Sequence, residues 1–481
     1  MMRARAETLK ETGIGLKSKL KSLLRKKNKI TLFFPSSNPG NSPPIPNLGI
    51  GYIGTVLHQH GHPVHCIDGN LISPGISTEQ SHLAETVLKE SIEAIEKTEP
   101  DILGVGSWTT NFPLAAELIT EFARRFPGKL IVLGGYQATF LPRFVLEFLP
   151  QVDILVRGEG EYTMLDLVQT LQRGGRLEDV KGIMYRQGNQ IVETPGRELI
   201  RDLNQLPFIN YSLFAGFASH ASPCLRILTA RGCPFRCVFC SCKAFWHKIR
   251  MRSVENIISE IKYLRDTHGV RAFGICDDLF AVSENRVLQF CKRLRQEQLE
   301  ISWSFNARID TLSPSVAEVA LQSGATSIKF GMESTSIKTL KFIDKGKPAE
   351  YLRKAEEWIE YCLSHNVPCN VSTIVGFPNE TKADIENTLK LVRRFVDKGL
   401  KMYTGLLICY PGTALWGMYE RGEIKLIKIR NKILRRNSSG FFAGKYEHLP
   451  ECVPNAWMVR NEHLSGPMVE QLLLNWIGAV A

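Results

Sequence analysis

The chain contains two successive series in which short apolar runs alternate with longer helical stretches. This alternation predicts strand–helix–strand units whose strands form a parallel sheet wrapped by helices. The first series, over roughly residues 30–180, predicts a Rossmann-like domain of the α/β class. The second series begins at Cys224 and offers six such units, which predicts a partial (β/α)6 barrel of the TIM type over residues 223–420.

Three further segments complete the predicted organisation. Residues 1–29 form a basic leader, residues 181–222 an inter-domain linker, and residues 421–481 a small C-terminal appendage that is helical or irregular. The leader carries ten Lys or Arg against two Glu, and we expect it to be a solvated or disordered tail. The alternative is that the leader forms a helix lying on a membrane surface, because its leucines share one helical face that basic residues flank.

Composition limits the compartment and the partners of a chain of 481 residues. No run approaches the roughly 18 apolar residues of a membrane span, and the N-terminus lacks the apolar core of a secretory signal. Twelve cysteines without such a signal predict a reducing cytoplasm, with peripheral membrane contact through the leader left open. Outside the leader the net charge is only about +4 of the total +12, which is too small to predict nucleic-acid binding.

Three cysteines lie within eight residues, directly after the first predicted barrel strand. Cys233, Cys237 and Cys240 have the spacing C-x-x-x-C-x-x-C. Thiolates are the soft ligands that iron–sulfur clusters select, and three ligands for the four irons of a cubane cluster leave one iron open. A zinc site would favour paired C-x-x-C units with two further ligands, and no second pair follows. The spacing therefore favours a 4Fe-4S cluster with one reactive iron.

This cysteine loop resembles that of the radical S-adenosylmethionine (SAM) superfamily, and the resemblance covers roughly residues 224–415. It implies that SAM chelates the open iron and that the reduced cluster cleaves it to a 5′-deoxyadenosyl radical. It also implies cofactor contacts, most of them at the carboxyl ends of barrel strands. The implied SAM contacts are Phe239, Asp277, Asp278, Arg308, Glu333, Ser334, Gly376 and Tyr410. Cys242, just beyond the triad, is expected to be a packed spare thiol.

The first domain is similar to the cobalamin-binding domains that are fused to some radical enzymes, in residues 46–52, 134–139 and 156–161. The similarity implies cobalamin at the open edge of the parallel sheet, where a Gly-Gly pair lets the chain approach the nucleotide tail. The implied contacts are Leu48, Gly49, Ser107, Thr109, Thr110, Gly134, Gly135, Gly158, Glu159 and Gly160. No Asp-x-His-x-x-Gly sequence occurs, and Gln137 stands where many relatives carry His. The chain thus resembles the subgroup that binds cobalamin without a histidine ligand.

Together these resemblances imply methylation of an unactivated carbon in a small-molecule, natural-product or lipid substrate. The electrons would come from a reductant such as flavodoxin or ferredoxin. Cyclisation or rearrangement without methyl transfer is the alternative reaction, and an iron–sulfur or corrinoid sensor is the alternative of another class. The sequence identifies neither the substrate nor the residue that donates or accepts hydrogen.

Overall fold

The computed structural model describes residues 15–24, 27–36, 45–72, 80–217, 224–431 and 443–480. These residues form two compact units. The first unit comprises the described residues up to 201 together with 205–217 and 443–453, and the second comprises 202–204, 224–431 and 454–480. Within these described ranges, no helix is both long and apolar enough to cross a membrane.

Seven strands of the first unit form one sheet. In chain order they are β1 (Ile30–Phe34), β2 (Val64–Asp68), β3 (Ile102–Gly106), β4 (Leu130–Gly134), β5 (Ile154–Val156), β6 (Ile183–Gln187) and β7 (Gln190–Glu193). Their order across the sheet is β2-β1-β3-β4-β5-β6-β7, parallel from β2 to β5 and antiparallel at β6 and β7. The parallel strands are mostly apolar and buried, as expected for a sheet covered on both faces. The predicted Rossmann-like fold is confirmed.

The helices of this unit connect the strands and begin and end at recognisable signals. They are α1 (Leu16–Ser22), α2 (Leu48–Gln59), α3 (Gly69–Ile72), α4 (Gln80–Glu96), α5 (Phe112–Arg125), α6 (Tyr136–Phe140), α7 (Pro142–Phe148) and α8 (Glu161–Arg173). α2 begins after Asn47, whose side chain accepts the Ile50 N–H, and α8 ends at the left-handed Gly174. Because β1 lies between β2 and β3, the strand order reverses at β1 and β3, where sheets of this kind bind ligands.

The described part of the leader packs on the first unit. Lys19 is only 7% exposed, and its ammonium lies 2.8 and 3.0 Å from the two carboxylate oxygens of Asp153. The same carboxylate accepts the Ile131 N–H, so α1 is tied to the amino ends of β4 and β5. The expectation of a solvated tail is therefore wrong for residues 16–24, and nothing in this described part supports a membrane contact. Residues 1–14, 25 and 26 lie outside the described residues.

Two segments that the sequence placed outside the first domain also pack with it. β6 and β7 come from the predicted linker, and Ile183 of β6 pairs with Val156 of β5. The helix Ala443–Tyr446 comes from the predicted appendage, and the Tyr446 hydroxyl donates to the Glu117 carboxylate on α5. The structure thus differs from the predicted linker and appendage, because these contacts join residues far apart in the chain and leave no local signal.

The second unit is built on a parallel sheet in sequential order. Its strands are β8 (Cys224–Ile227), β9 (Ala230–Arg231), β10 (Arg250–Met251), β11 (Ala272–Ile275), β12 (Ser302–Ala307), β13 (Ala325–Glu333), β14 (Cys369–Val375), β15 (Lys401–Leu406), β16 (Leu426–Lys428) and β17 (Trp457–Val459). Six form the sheet β8-β11-β12-β13-β14-β15, while β9 pairs with β10 and β16 with β17, both antiparallel. The sequential parallel order confirms the predicted barrel units. The short β16–β17 pair was not predicted.

Helices of the second unit follow the strands and complete its core. They are α9 (Cys242–Trp246), α10 (Val254–His268), α11 (Glu284–Gln296), α12 (Pro314–Gln322), α13 (Ile337–Phe342), α14 (Pro348–Ser364), α15 (Lys382–Val396), α16 (Ala414–Glu420) and α17 (Gly466–Val480). An aromatic cluster of Phe280, Phe290, Trp303 and Phe305 packs edge to face and stacked beside β12. Since the six strands are parallel, the loops that follow them meet at one edge of the sheet.

Candidate functional site

The cysteine loop begins where β8 ends, at the carboxyl edge of the six-stranded sheet. Gly232 has φ +93°, and a side chain there would meet the Lys248 carbonyl oxygen at 2.7 Å, so glycine is required before Cys233. The Cys240 N–H donates to the Cys237 carbonyl at 3.0 Å and closes a turn between the second and third cysteines. All three thiols therefore lie on one short and constrained segment.

The three thiols have different electrostatic surroundings. Burial raises the pKa of Cys233 to about 11, and it also raises the pKa of Cys237, although nearby cations oppose it there. A hydrogen bond from Cys242 lowers the pKa of Cys240, whose side chain solvent still reaches. No three His, Cys, Asp or Glu side chains of the described residues converge closely enough to hold a single metal ion. A cluster whose separate irons each take one thiolate suits such a spread donor set.

Arg308 connects the end of β12 to the second cysteine. Its guanidinium carbon lies 3.6 Å from the centroid of the Phe235 ring, and its Nη1 lies 3.7 Å from the Sγ of Cys237. Asp310 holds the same guanidinium by two hydrogen bonds of 2.8 Å. Burial acts to lower the pKa of Arg308, but the Asp310 carboxylate outweighs burial and raises it. The side chain is therefore a fixed cation beside the cysteine loop.

The two predicted aspartates after β11 differ in what they contact. Asp277 is fully buried and accepts the N–H groups of Thr229 and Ala230 at 2.6 and 3.0 Å, together with the Thr229 hydroxyl. Burial raises its pKa to about 6. Asp278 is exposed to solvent, and it accepts hydrogen bonds from the Cys242 thiol, the Gly232 N–H and the Trp246 indole. Asp277 thus holds the start of the cysteine loop, whereas solvent reaches Asp278.

Glu333 ends β13 as a buried carboxylate with a cation of its own. Its backbone has φ +70°, a strained conformation for this residue, and its carboxylate folds back over Gly331, where a side chain would meet it at 2.2 Å. The Lys345 ammonium lies 2.9 Å from Glu333 and also donates to the Gly331 carbonyl. Burial acts to lower the pKa of Lys345, yet Glu333 outweighs burial and raises it. Tyr351 donates its hydroxyl to the same carbonyl.

A buried glutamate organises the loop after β14. Glu380 accepts the N–H groups of Gly376 and Phe377 at 2.8 and 3.0 Å, and the Ser334 hydroxyl at 3.2 Å. Burial raises its pKa to about 7 against these hydrogen bonds. The Asn461 amide donates to the carbonyls of Phe377 and Glu380, both at 2.8 Å. Ser334 and Gly376, both predicted cofactor contacts, are thereby joined through one carboxyl group.

Phe239 and Tyr410 lie in loops at the same edge of the barrel sheet. The Phe239 ring packs edge to face against Phe377 with 6.3 Å between centroids. The Leu415 N–H donates to the Val238 carbonyl at 3.1 Å, so the cysteine loop is tied to the start of α16. Burial raises the pKa of Tyr410 to about 12, and this phenol therefore keeps its proton at neutral pH.

In the first unit, the predicted cobalamin residues lie at the carboxyl edge of its sheet. Leu48 and Gly49 start α2 after β1, and Ser107, Thr109 and Thr110 follow β3. Gly134 ends β4, Gly135 follows it, and residues 158–160 follow β5. Gly135 has φ +95°, and a side chain there would meet the Ser107 carbonyl oxygen at 2.4 Å. The loops after β3 and β4 are therefore in contact through their backbones, and no side chain at Gly135 blocks a ligand from approaching this edge of the sheet.

Two polar residues near this edge are engaged within the protein. Glu159 accepts the Ile200 N–H at 2.7 Å, so this predicted cobalamin contact also fastens the chain beyond β7. Gln137 is fully buried and donates its amide to the Glu451 carbonyl at 2.8 Å. The glutamine at the position where relatives carry His therefore holds residues 443–453 onto the first unit.

Two family models match the chain in the order that the two units follow. The B12 binding domain matches residues 42–168, and the radical SAM superfamily matches residues 227–392. An uncharacterized methyltransferase of Pyrococcus horikoshii is 31% identical over 380 residues, which are 77% of this chain and 78% of that protein. The chain belongs to the cobalamin-dependent radical SAM family. Its cofactors are a 4Fe-4S cluster, SAM and cobalamin.

Other members of this radical SAM family carry different names. The anaerobic magnesium-protoporphyrin IX monomethyl ester cyclase of Cereibacter sphaeroides is 28% identical over 387 residues, 78% of this chain and 60% of that protein. Among solved structures, the cobalamin-dependent SAM radical enzyme OxsB aligns with a TM-score of 0.72 and 18% identity over 95% of this chain and 67% of that chain. This likeness shows that the fold is shared.

Sequence reasoning missed several residues that shape this radical SAM site. Lys345 lies twelve residues beyond Glu333, with a helix between them, and Asn461 lies in the predicted appendage. Arg286, on α11, donates to the Thr229 hydroxyl and carbonyl and so supports the residue that Asp277 holds. None of them belongs to a spaced motif. What these residues share is burial of a polar side chain, which the folded structure shows and the sequence does not.

Proposed function

We propose that this enzyme transfers a methyl group from SAM to an unactivated carbon of a small-molecule or lipid substrate. The proposal depends on one observation, which is that the same chain contains two candidate cofactor sites. One is the loop of three thiols at the carboxyl edge of the barrel sheet. The other is the carboxyl edge of the first sheet, where Ser107 and Gly135 lie next to the point at which the strand order reverses. When bound, the cluster and SAM supply a hydrogen-abstracting radical and cobalamin supplies the methyl group. The 31% identical methyltransferase of Pyrococcus horikoshii supports methyl transfer over other outcomes.

The residues of the second unit fit the first two cofactors. Cys233, Cys237 and Cys240 would hold the cluster, since they are soft donors on a loop that solvent still reaches at Cys240. Asp278 and Glu333 supply carboxylates at the same edge for the amino group of SAM. A buried carboxylate such as that of Glu333 attracts an ammonium more strongly than one in bulk water, because the surrounding dielectric is lower.

Further residues of the second unit would orient SAM without reacting with it. Glu380 fixes the Gly376 N–H and the Ser334 hydroxyl, so the loop after β14 has one conformation before the cofactor arrives. Phe239 offers an aromatic edge beside this loop. Such pre-ordering lowers the entropy that binding would otherwise cost.

The residues of the first unit fit cobalamin held without a protein ligand to cobalt. The glycines at 135 and 158 both have positive φ, and their loops meet the edge of the sheet through backbone groups. Ser107, Thr109 and Thr110 supply hydroxyls in the loop after β3. The same edge also carries Trp108, which is 40% exposed and packs edge to face on Phe34 at 5.1 Å.

A labelled methyl group tests the reaction. The reconstituted enzyme, with cobalamin and a low-potential reductant such as flavodoxin or ferredoxin, is incubated anaerobically with methyl-labelled SAM and a small-molecule and lipid extract. We expect label in the released corrinoid and in an extract compound, with 5′-deoxyadenosine formed in step. The Cys233→Ala/Cys237→Ala/Cys240→Ala variant should yield no 5′-deoxyadenosine. Formation of 5′-deoxyadenosine with no label in corrinoid or extract contradicts the proposal.

The cyclase relative favours one second candidate, a rearrangement without methyl transfer. In that case SAM would be consumed only as the source of the radical. The same assay distinguishes the two reactions, because a rearranged product keeps its carbon count and contains no label. A sensor is the least favoured reading, since it gains nothing from continuous cleavage of SAM.

A further inference from the structure

We propose that Arg308 acts as a positioning residue that raises the reduction potential of the cluster through a hydrogen bond to Cys237. The proposal goes beyond a contact between Arg308 and SAM. It rests on Cys237 being a cluster ligand and is independent of the substrate. Four observations carry it: the N–H to sulfur distance, the ring beneath the guanidinium, the carboxylate that fixes it, and its burial.

The first observation is the direct contact between donor and sulfur. Nη1 of Arg308 lies 3.7 Å from Sγ of Cys237, within hydrogen-bond reach for a sulfur acceptor. Hydrogen bonds to cluster sulfurs stabilise the more negatively charged, reduced state and so raise the potential. A charged donor does this more strongly than a neutral donor at the same position.

The guanidinium of Arg308 is held in place on one face and along one edge. Phe235 lies between the first two cysteines, and its ring stacks under the guanidinium at 3.6 Å. Asp310 accepts two hydrogen bonds of 2.8 Å from Nε and Nη2, which leaves Nη1 directed to Cys237. Because Asp310 binds one edge of the guanidinium and the Phe235 ring packs on one face, the side chain is already ordered, and the contact with sulfur costs little further entropy.

The contact between Arg308 and Cys237 is also shielded from water. The Arg308 side chain is 7% exposed, and low exposure keeps water from competing for the sulfur or screening the charge. Lys345 is similarly buried, but its ammonium is directed to Glu333 and to a carbonyl. Of the two cations near Cys237, only Arg308 therefore has a described hydrogen bond to sulfur.

The test is a redox titration of the reconstituted cluster without SAM, followed by the electron paramagnetic resonance signal of the reduced state. Replacing Arg308 alone would leave the Asp310 charge behind, so the decisive variant is Arg308→Gln/Asp310→Asn, which removes both charges together. We expect a more negative midpoint, equivalent to about a tenfold change in the reduction equilibrium, or roughly 59 mV for one electron. An unchanged midpoint in this variant overturns the proposal.

Matched controls separate local from general effects. Arg421 and Glu423 repeat the same i,i+2 pairing on the surface, and Arg421→Gln should leave the midpoint unchanged. Asp310→Asn alone should not lower the midpoint, because it removes a negative charge. Iron content reports separately on the cluster site: if the triple cysteine variant keeps its iron, Cys237 is not a cluster ligand and the proposed role of Arg308 fails with it.

A second measurement needs no variant. The wild-type holoenzyme, labelled with ¹⁵N in the arginine guanidinium groups, is reduced without SAM and studied by pulsed paramagnetic resonance. A nitrogen hydrogen-bonded to a cluster ligand gives a resolved ¹⁵N coupling, which we expect to observe. Absence of this coupling in a fully reduced cluster overturns the proposal, whether or not the double variant folds.

Discussion

Replacing Asp277 by Ala should release the start of the cysteine loop. The carboxylate of Asp277 is fully buried and accepts the Thr229 and Ala230 N–H groups, which precede Cys233 by a few residues. Alanine leaves both N–H groups without their acceptor in a site that water reaches poorly, since Thr229 and Ala230 are themselves buried. We therefore expect a less stable second unit and weaker retention of the cluster.

The magnitude follows from the number of donors that lose their partner. Each buried donor left unsatisfied costs about 1–3 kcal/mol, so the two N–H groups and the Thr229 hydroxyl together cost roughly 3–9 kcal/mol. Asp277→Asn keeps one carbonyl oxygen for both N–H groups and should recover more than half of this loss. Asp266→Asn is the matched surface control, because Asp266 is exposed and pairs with its neighbour Arg265, and its effect should stay within about 0.5 kcal/mol.

Urea denaturation of the cluster-free protein and iron content after anaerobic reconstitution measure the two effects. The expected order of stability is wild type and Asp266→Asn first, Asp277→Asn next and Asp277→Ala last, with iron content in the same order. If Asp277→Ala loses less than about 1 kcal/mol and binds iron like the wild type, the two N–H groups are not held as the structure indicates.

Three further predictions concern other sites. Because the pKa of Glu380 is about 7 in the folded protein against an ordinary 4.5, the unfolded chain ionises first, and the stability that the protonated carboxyl contributes is lost as pH rises between these values. Urea titrations should show wild type losing about 3 kcal/mol over this range relative to Glu380→Gln. Lys19→Met should cost about 3–5 kcal/mol by leaving the charge of Asp153 buried and unpaired, and Lys19→Met/Asp153→Asn should recover most of it, because asparagine is neutral and can still accept the Ile131 N–H. Trp108→Ala should reduce cobalamin retained after gel filtration severalfold while costing about 1 kcal/mol in stability, and full retention contradicts a role at that edge.

Periodicity predicted most of the fold because each strand and helix carries the apolar pattern of its own buried face in its local sequence. Six strand–helix units were predicted over residues 223–420, and six parallel strands are found there, since an apolar run between helices has few alternatives. β16 and β17 were missed because three-residue strands carry no periodic signal. The packing of β6, β7 and residues 443–453 was missed for another reason, since it depends on partners such as Val156 and Gln137 that lie far away in the chain.

The candidate site divides in the same way. Positions at strand ends, such as Glu333 and Gly376, could be predicted because parallel strands end at one edge and the residues match family motifs. What each carboxylate binds could not be predicted. Asp277 and Asp278 are adjacent in sequence, yet Asp277 is buried and accepts two backbone N–H groups, whereas Asp278 is exposed to solvent. The sequence alone gives the type of residue at the carboxyl edge of the barrel sheet, whereas the group that each carboxylate binds depends on the fold.

The pairing of Glu333 with Lys345 leads to a final prediction about SAM. If Glu333 contacts the amino group of SAM, that ammonium must share a carboxylate that Lys345 already occupies at 2.9 Å. Lys345→Met removes the competitor and leaves Glu333 buried without a cation, which lowers the stability of the SAM-free protein. A ligand that binds only the folded state then raises the melting temperature further, because its ammonium replaces the lost partner.

We therefore expect SAM to raise the melting temperature of Lys345→Met more than that of the wild type, although the variant melts lower without SAM. Lys354→Met is the matched control, since Lys354 pairs with Glu350 at the surface at 3.0 Å, and its SAM-induced shift should equal that of the wild type. An equal or smaller shift in Lys345→Met would mean that Glu333 serves only to hold Lys345. The amino group of SAM would then depend on Asp278, the remaining open carboxylate at this edge.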